Sequence, residues 1–307
     1  MARVFVTREL PFPALERLEA EHEVDTWPGD VAPEPEELRQ HTSQADGLLS
    51  MVADRVDEAL LDAAPNLRAI ANYAVGTDNI DLEAAAARGI PVGNTPDVLT
   101  DATADLAFAL LLALARRLAE GERDVREGQW ITFEPDRALG AEVTGATLGI
   151  VGFGRIGQAV ARRAEGFGME VLHSGRSGGV PLEELLERSD FVSIHCPLTD
   201  DTRHLIGEDA FARMKPTARL INTARGPIVD PAALERALHE RAIAGAALDV
   251  TEPEPLPADH PLLRAPNLLV VPHVGSATVR TRHRMTEIAV ANLLAALAGE
   301  PMPHQAN

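Results

Sequence analysis

Short apolar runs alternate with amphipathic stretches along nearly the whole chain. In the first hundred residues, β-type runs stand near 3–7 (RVFVT), 23–27 (EVDTW), 47–51 (GLLSM), 68–72 (RAIAN) and 90–93. Stretches with helical spacing, such as 13–21 and 57–63, lie between them. A second series of strands is expected at 147–151, 169–173, 190–195, 218–223, 245–250 and 268–272. This alternation predicts parallel sheets covered by helices, an α/β architecture.

Between the two series, ADLAFALLLALARR is apolar nearly all round. It predicts a buried helix from Thr100 to about Glu120, capped by Thr100 or Asp101. After the last strand, Ser276 is expected to cap a long helix running to Gly299. Ile288, Leu293, Leu294 and Leu297 fall on one stripe of it. If that helix returns to the first series, the first domain is discontinuous.

Composition narrows the function classes. With 307 residues, the chain is long enough for two domains with sizeable cores. Its 47 acidic residues against 28 basic ones give a formal net charge of -19. Such a surface repels nucleic acid and anionic membranes, so neither is an expected partner. Lys215 is the only lysine. Both a GC-rich genome and a salt-rich cytoplasm fit that bias. The single cysteine, Cys196, excludes an internal disulfide framework and a multi-cysteine metal site, and no metal is expected. The N-terminus lacks the apolar core of a signal peptide, and the longest apolar run, 106–115, is about half the ~20 residues of a membrane span. A soluble cytoplasmic protein is expected.

The second series opens with a strand running into Gly152-Phe153-Gly154-Arg155-Ile156-Gly157, followed by a helical pattern and another strand. This is the context in which GxGxxG binds a dinucleotide pyrophosphate at a helix N-terminus. At the next strand end, an NAD binder places an acid for the ribose 2′-OH. Here the sequence is His173-Ser174-Gly175-Arg176-Ser177. Arg176, helped by Ser174 and Ser177, suits a 2′-phosphate, so NADP(H) is the expected cofactor, with NAD(H) as the alternative.

Three polar residues follow at successive strand ends: Arg225 after ARLIN, Glu254 after AALDV and His273 after LLVVP. Singly they suit an ion-pair partner, a solvated loop acid and a turn histidine. As a set beside a dinucleotide fold they suit ketone reduction. The histidine supplies the proton, the carboxylate fixes its tautomer and favours the protonated form, and the arginine grips a substrate carboxylate. Asp249 suits either a nicotinamide contact or a turn cap.

These residues sit in a longer pattern. NYAVGTDNID (72–81), NTPDVLTDATADLAFALLLALARR (94–117), VGFGRIGQ (151–158), HCPLTDDTRHLI (195–206), LINTARGPIVD (220–230), ALDVTEPEPLP (247–257) and PHVGSAT (272–278) occur in order. Over essentially its full length, the chain resembles the D-isomer-specific 2-hydroxyacid dehydrogenases. Within them it is most similar to glyoxylate/hydroxypyruvate reductases. The resemblance implies a Rossmann dinucleotide-binding domain (99–282) inserted into a smaller flavodoxin-like substrate domain (1–98 plus 283–307). It implies Arg225 as substrate anchor, His273 as acid/base and Glu254 as its partner. The backbone N–H groups of Val75 and Gly76 would bind the substrate carboxylate. Thr103, Cys196, Pro197, Thr223, Ala224, Asp249 and Gly275 would line the cofactor with the glycine turn. It also implies a homodimer through the 100–145 region, where Trp130 and Phe133 are expected to pack in the interface and are candidates for reaching the partner's pocket. The enzymatic alternatives are another D-2-hydroxyacid dehydrogenase activity or a phosphoglycerate dehydrogenase-like one, the latter less expected because no regulatory domain follows Asn307. A dinucleotide-sensing corepressor-like binding module is the non-enzymatic one.

Overall fold

All five runs of the first series form strands in a computed structural model that describes residues 1–10, 12–176 and 178–307. They are β1 (Arg3–Val6), β2 (Glu23–Thr26), β3 (Gly47–Ser50), β4 (Ala69–Asn72) and β5 (Val92–Gly93), paired in parallel in the order β2-β1-β3-β4-β5. This is the flavodoxin-like order. β3 and β4 are buried at every position, which explains their continuous apolar character: a parallel strand with helices on both faces has no solvent side. One face packs Phe5, Leu48 and Ile70 with Leu60 and Leu61 of the Glu58–Ala63 helix. The other receives the Val279–Leu297 helix, which contacts β3 and β4. The unit therefore comprises both ends of the chain, Met1–Leu99 and Ser276–Asn307.

The second unit, Thr100–Gly275, is inserted between those two pieces of chain. Its strands are β6 (Thr147–Val151), β7 (Glu170–Ser174), β8 (Phe191–Ile194), β9 (Arg219–Asn222), β10 (Gly245–Leu248) and β11 (Leu268–Val270). They form a parallel sheet in the order β11-β10-β9-β8-β6-β7. This is a doubly wound Rossmann-type sheet in which β7 and β11 are the edges among the described residues. The switch point lies between β6 and β8, where a crevice opens at the carboxyl ends of the strands.

Two helix expectations need correction. The helix expected over 100–120 is two helices, Thr100–Ala115 and Leu118–Arg126. Arg117 between them adopts a left-handed φ of 51°, which ends the α-helical path. The first helix buries Ala104, Ala107, Leu111 and Leu114, as its all-round apolar pattern implies, whereas the second buries none of its residues. The cap of the final helix is Thr278 rather than Ser276: its side chain accepts the Thr281 N–H at 3.1 Å. Among the described residues, no helix is long and apolar enough to cross a membrane.

Candidate active site

The glycine turn follows β6 directly. Gly152 has φ +94°, and a Cβ there would stand 2.3 Å from the Cys196 nitrogen, so only glycine lets the turn pass the β8 end. Gly154 is the N-cap of the Arg155–Glu165 helix, in which Gly157 and Ala159 are buried. Phe153 stacks on His173, ring centroids 4.1 Å apart. Gly152 N–H donates to the Ser174 carbonyl at 2.8 Å, tying the turn to the tip of β7. Beyond that tip Gly175 and Arg176 are exposed, while Ser177 lies outside the described residues.

Other expected cofactor contacts gather on the same side of the sheet. Thr223, just after β9, is 7% exposed, and its hydroxyl has no hydrogen-bond partner. The buried Thr103 lies beside Gly275, its Cγ2 3.4 Å from where a Gly275 Cβ would be. Pro197 follows Cys196, and its carbonyl accepts the Thr202 hydroxyl at 2.7 Å. Burial pushes the Cys196 thiol up to about 11, so it stays neutral. A helix N-terminus with no acidic residue in its first turn, a glycine turn and an orphaned buried hydroxyl fit a nicotinamide dinucleotide, whose polar groups would supply the missing partners.

The three strand-end residues build a polar centre. His273 has a left-handed φ of 50°, and its N–H donates to the Asp249 carbonyl at 2.8 Å. The Asp249 carboxylate accepts the N–H groups of Val274 (2.6 Å) and Gly275 (2.9 Å). Asp249 thus caps the turn that carries His273. Burial raises its pKa, and those two N–H groups and His273 oppose the rise.

The His273 ring bonds through Nδ1 to Glu254 Oε1, leaving Nε2 for a reacting atom. Glu254 also accepts the Thr251 N–H at 3.2 Å. Burial works to raise the Glu254 pKa. His273, Thr251 and the nearby Arg225 charge outweigh it and hold the carboxyl below its ordinary value. Arg225 is set by its backbone. Asn222 Nδ2 donates to the Arg225 carbonyl at 2.8 Å, and Asn222 Oδ1 accepts the Ala224 N–H at 3.0 Å. A Cβ on Gly226 would lie 1.9 Å from the Thr251 carbonyl, so glycine is required where these two loops meet.

The structure thus assembles Arg225, Glu254, His273 and Asp249 in one unit, whereas Val75 and Gly76 occupy the loop after β4 in the other. Sequence reasoning missed Asn222, fully buried, whose only signal was a polar residue ending an apolar strand. It also missed His195, whose imidazole burial drives down to about 4 and whose Nε2 meets the Ser193 hydroxyl at 2.8 Å. Among the described residues, no group of His, Cys, Asp or Glu is arranged to hold a metal.

Residues 108–275 match the D-isomer specific 2-hydroxyacid dehydrogenase, NAD binding domain family. A glyoxylate reductase of Korarchaeum cryptofilum is 50% identical over 317 aligned residues, covering 99% of this chain and 96% of the relative. A Thermus thermophilus protein of known structure superposes with a TM-score of 0.94 at 49% identity, over 99% of this chain and all of that one. An NADPH-dependent glyoxylate/hydroxypyruvate reductase from Sinorhizobium meliloti, solved with NADP and malonate, gives a TM-score of 0.87 at 35% identity, over 99% and 96% of the two chains. The chain belongs to the D-isomer-specific 2-hydroxyacid dehydrogenases. It is an NAD(P)-dependent oxidoreductase.

Proposed function

We propose that the protein reduces glyoxylate and hydroxypyruvate to the corresponding 2-hydroxy acids, using NADP(H) in preference to NAD(H). The observation that carries this reading is the Glu254–His273 pair beside the Arg225 charge, at the carboxyl ends of three adjacent strands. A dinucleotide held at the glycine turn would supply the hydride. His273, oriented through Nδ1 by Glu254, delivers a proton to the carbonyl oxygen from Nε2. Arg225 anchors the substrate and steadies the negative charge that develops on that oxygen. Val75 and Gly76 serve as a carboxylate-binding loop through their N–H groups.

The cofactor preference rests on the tip of β7, which offers Ser174 and the exposed Arg176 where an NAD binder has an acid. The subunit arrangement we propose is a homodimer through the 100–145 region. The Leu118–Arg126 helix buries nothing, and Leu118, Val125, Trp130, Ile131, Phe133 and Leu139 are exposed, more apolar surface than a monomer ordinarily leaves in one segment.

The test is turnover of NADPH and NADH, followed at the reduced-nicotinamide absorbance, with glyoxylate, hydroxypyruvate, pyruvate and bulkier 2-keto acids. Fastest reaction with the first two is expected, and no turnover with any would overturn the proposal. Light scattering after gel filtration should give twice the 32.9 kDa chain mass; a monomer would overturn the dimer.

A further inference from the structure

The loop after β4, residues 73–79, has its carbonyls fastened in succession. Thr95 N–H donates to the Ala74 carbonyl at 2.9 Å, Asn94 Nδ2 to that of Val75 at 2.8 Å and Asn72 Nδ2 to that of Gly76 at 2.8 Å. A trans peptide sets each C=O antiparallel to the N–H that follows it. Fastening three carbonyls therefore turns the N–H groups of Val75, Gly76 and Thr77 away from their anchors. Those three donors have no acceptor among the described residues. Successive free N–H groups on a half-buried loop make an anion receptor.

The anchors are held in turn. Asn72 is fully buried, and its Oδ1 accepts the Ser50 hydroxyl at 3.3 Å. Its amide also donates to Asn79 Oδ1 at 3.0 Å, and Asn79 donates to the carbonyls of Met51 and Asp54. The Asn94 carbonyl accepts Asn292 Nδ2 at 3.0 Å, and the Asn94 N–H donates to the His304 carbonyl at 3.1 Å. Asn292, fully buried on the final helix, accepts the His304 N–H at 3.0 Å. Two asparagine amides thus reach the loop from fixed bases.

We infer that Asn94 and Asn72 are positioning residues for carboxylate recognition, aiming the N–H groups of Gly76 and Thr77 at the carboxylate of a small keto acid while Thr95 aims that of Val75. The inference rests on the keto-acid reading above. It requires a donor at position 94: an aspartate there has the same shape but sets oxygen against the Val75 carbonyl, which favours the opposite peptide orientation.

The experiment compares wild type with Asn94→Asp and Asn94→Ala as full chains with NADPH. The KM for glyoxylate should rise roughly 10–100-fold, more for Asp than for Ala. kcat at saturation should stay within about threefold and the KM for NADPH within about twofold. A glyoxylate KM unchanged, or rising in step with the NADPH KM, would overturn the inference. If Asn94→Asp does not fold, Asn94→Ala carries the test alone. Calorimetric titration of oxalate onto the NADP+ complex separates the two levels of argument. Should wild type turn over no 2-keto acid, the functional reading fails, yet oxalate binding weakened only in the variants still supports the loop assignment. Equal oxalate affinity in all three proteins, or none in wild type, overturns it.

Discussion

Replacing Glu254 by glutamine separates the charge of its carboxylate from its shape. Glutamine retains an oxygen that accepts from His273 Nδ1, so the ring keeps its orientation while the negative charge disappears. At the ~4 Å separation of a contact ion pair, Coulomb attraction is about 1 kcal/mol in water and about 4 kcal/mol at a protein surface. The Glu254 and His273 side chains are 37% and 31% exposed, so solvent screening places their coupling near the lower end, about 1–2 kcal/mol. At 1.36 kcal/mol per factor of ten, that is a change of roughly tenfold in rate. In the proposed reduction His273 hands its proton on from a ring that Glu254 orients and holds beside a negative charge, so Glu254→Gln should lower kcat/KM for glyoxylate roughly tenfold. The assay is kcat/KM for glyoxylate at pH 7, with NADPH saturating. A kcat/KM equal to that of wild type would refute electrostatic support of His273 by Glu254.

Arg176→Ala should raise the KM for NADPH by roughly 10–100-fold, the loss of a charge-assisted contact, and leave the KM for NADH within about twofold; equal losses would remove Arg176 from the 2′-phosphate site. Gly226→Ala forces a methyl group onto the Thr251 carbonyl and should cost about 1–3 kcal/mol, seen in chemical denaturation, along with a lower kcat from displaced Arg225; wild-type stability would contradict the close approach. The native Cys196 thiol, pushed up to about 11 by burial, should resist iodoacetamide at pH 8 and react once the protein is denatured; rapid native alkylation would show that the thiol is accessible and ionised.

The strands were legible in the sequence because a parallel strand buried on both faces is a short apolar run, as GLLS and AIAN show. Arg225, Glu254 and His273 were legible as polar residues punctuating the ends of such runs. The break at Arg117 was not, because the helical pattern continues across it and only the backbone angle reveals the stop. Thr278 won the cap over Ser276 by a difference of two residues that apolar spacing does not resolve. The asparagine scaffold of the β4 loop was hidden for another reason. Asn94 acts on Val75 across 19 residues and Asn292 on Asn94 across 198, and no local pattern records such pairings.

The order β11-β10-β9-β8-β6-β7 sorts the second unit's work from one edge to the other. Arg225, Glu254 and His273, the proposed acid–base set, follow the ends of β9, β10 and β11, while the candidate reader of the ribose phosphate stands at the tip of β7. Five strand spacings of about 4.8 Å separate the two edges, roughly 24 Å. Substitutions so far apart combine additively unless they share a partner. Coenzyme choice is therefore a trait that evolution or an engineer can exchange by rewriting a single loop, with the acid–base machinery inherited untouched.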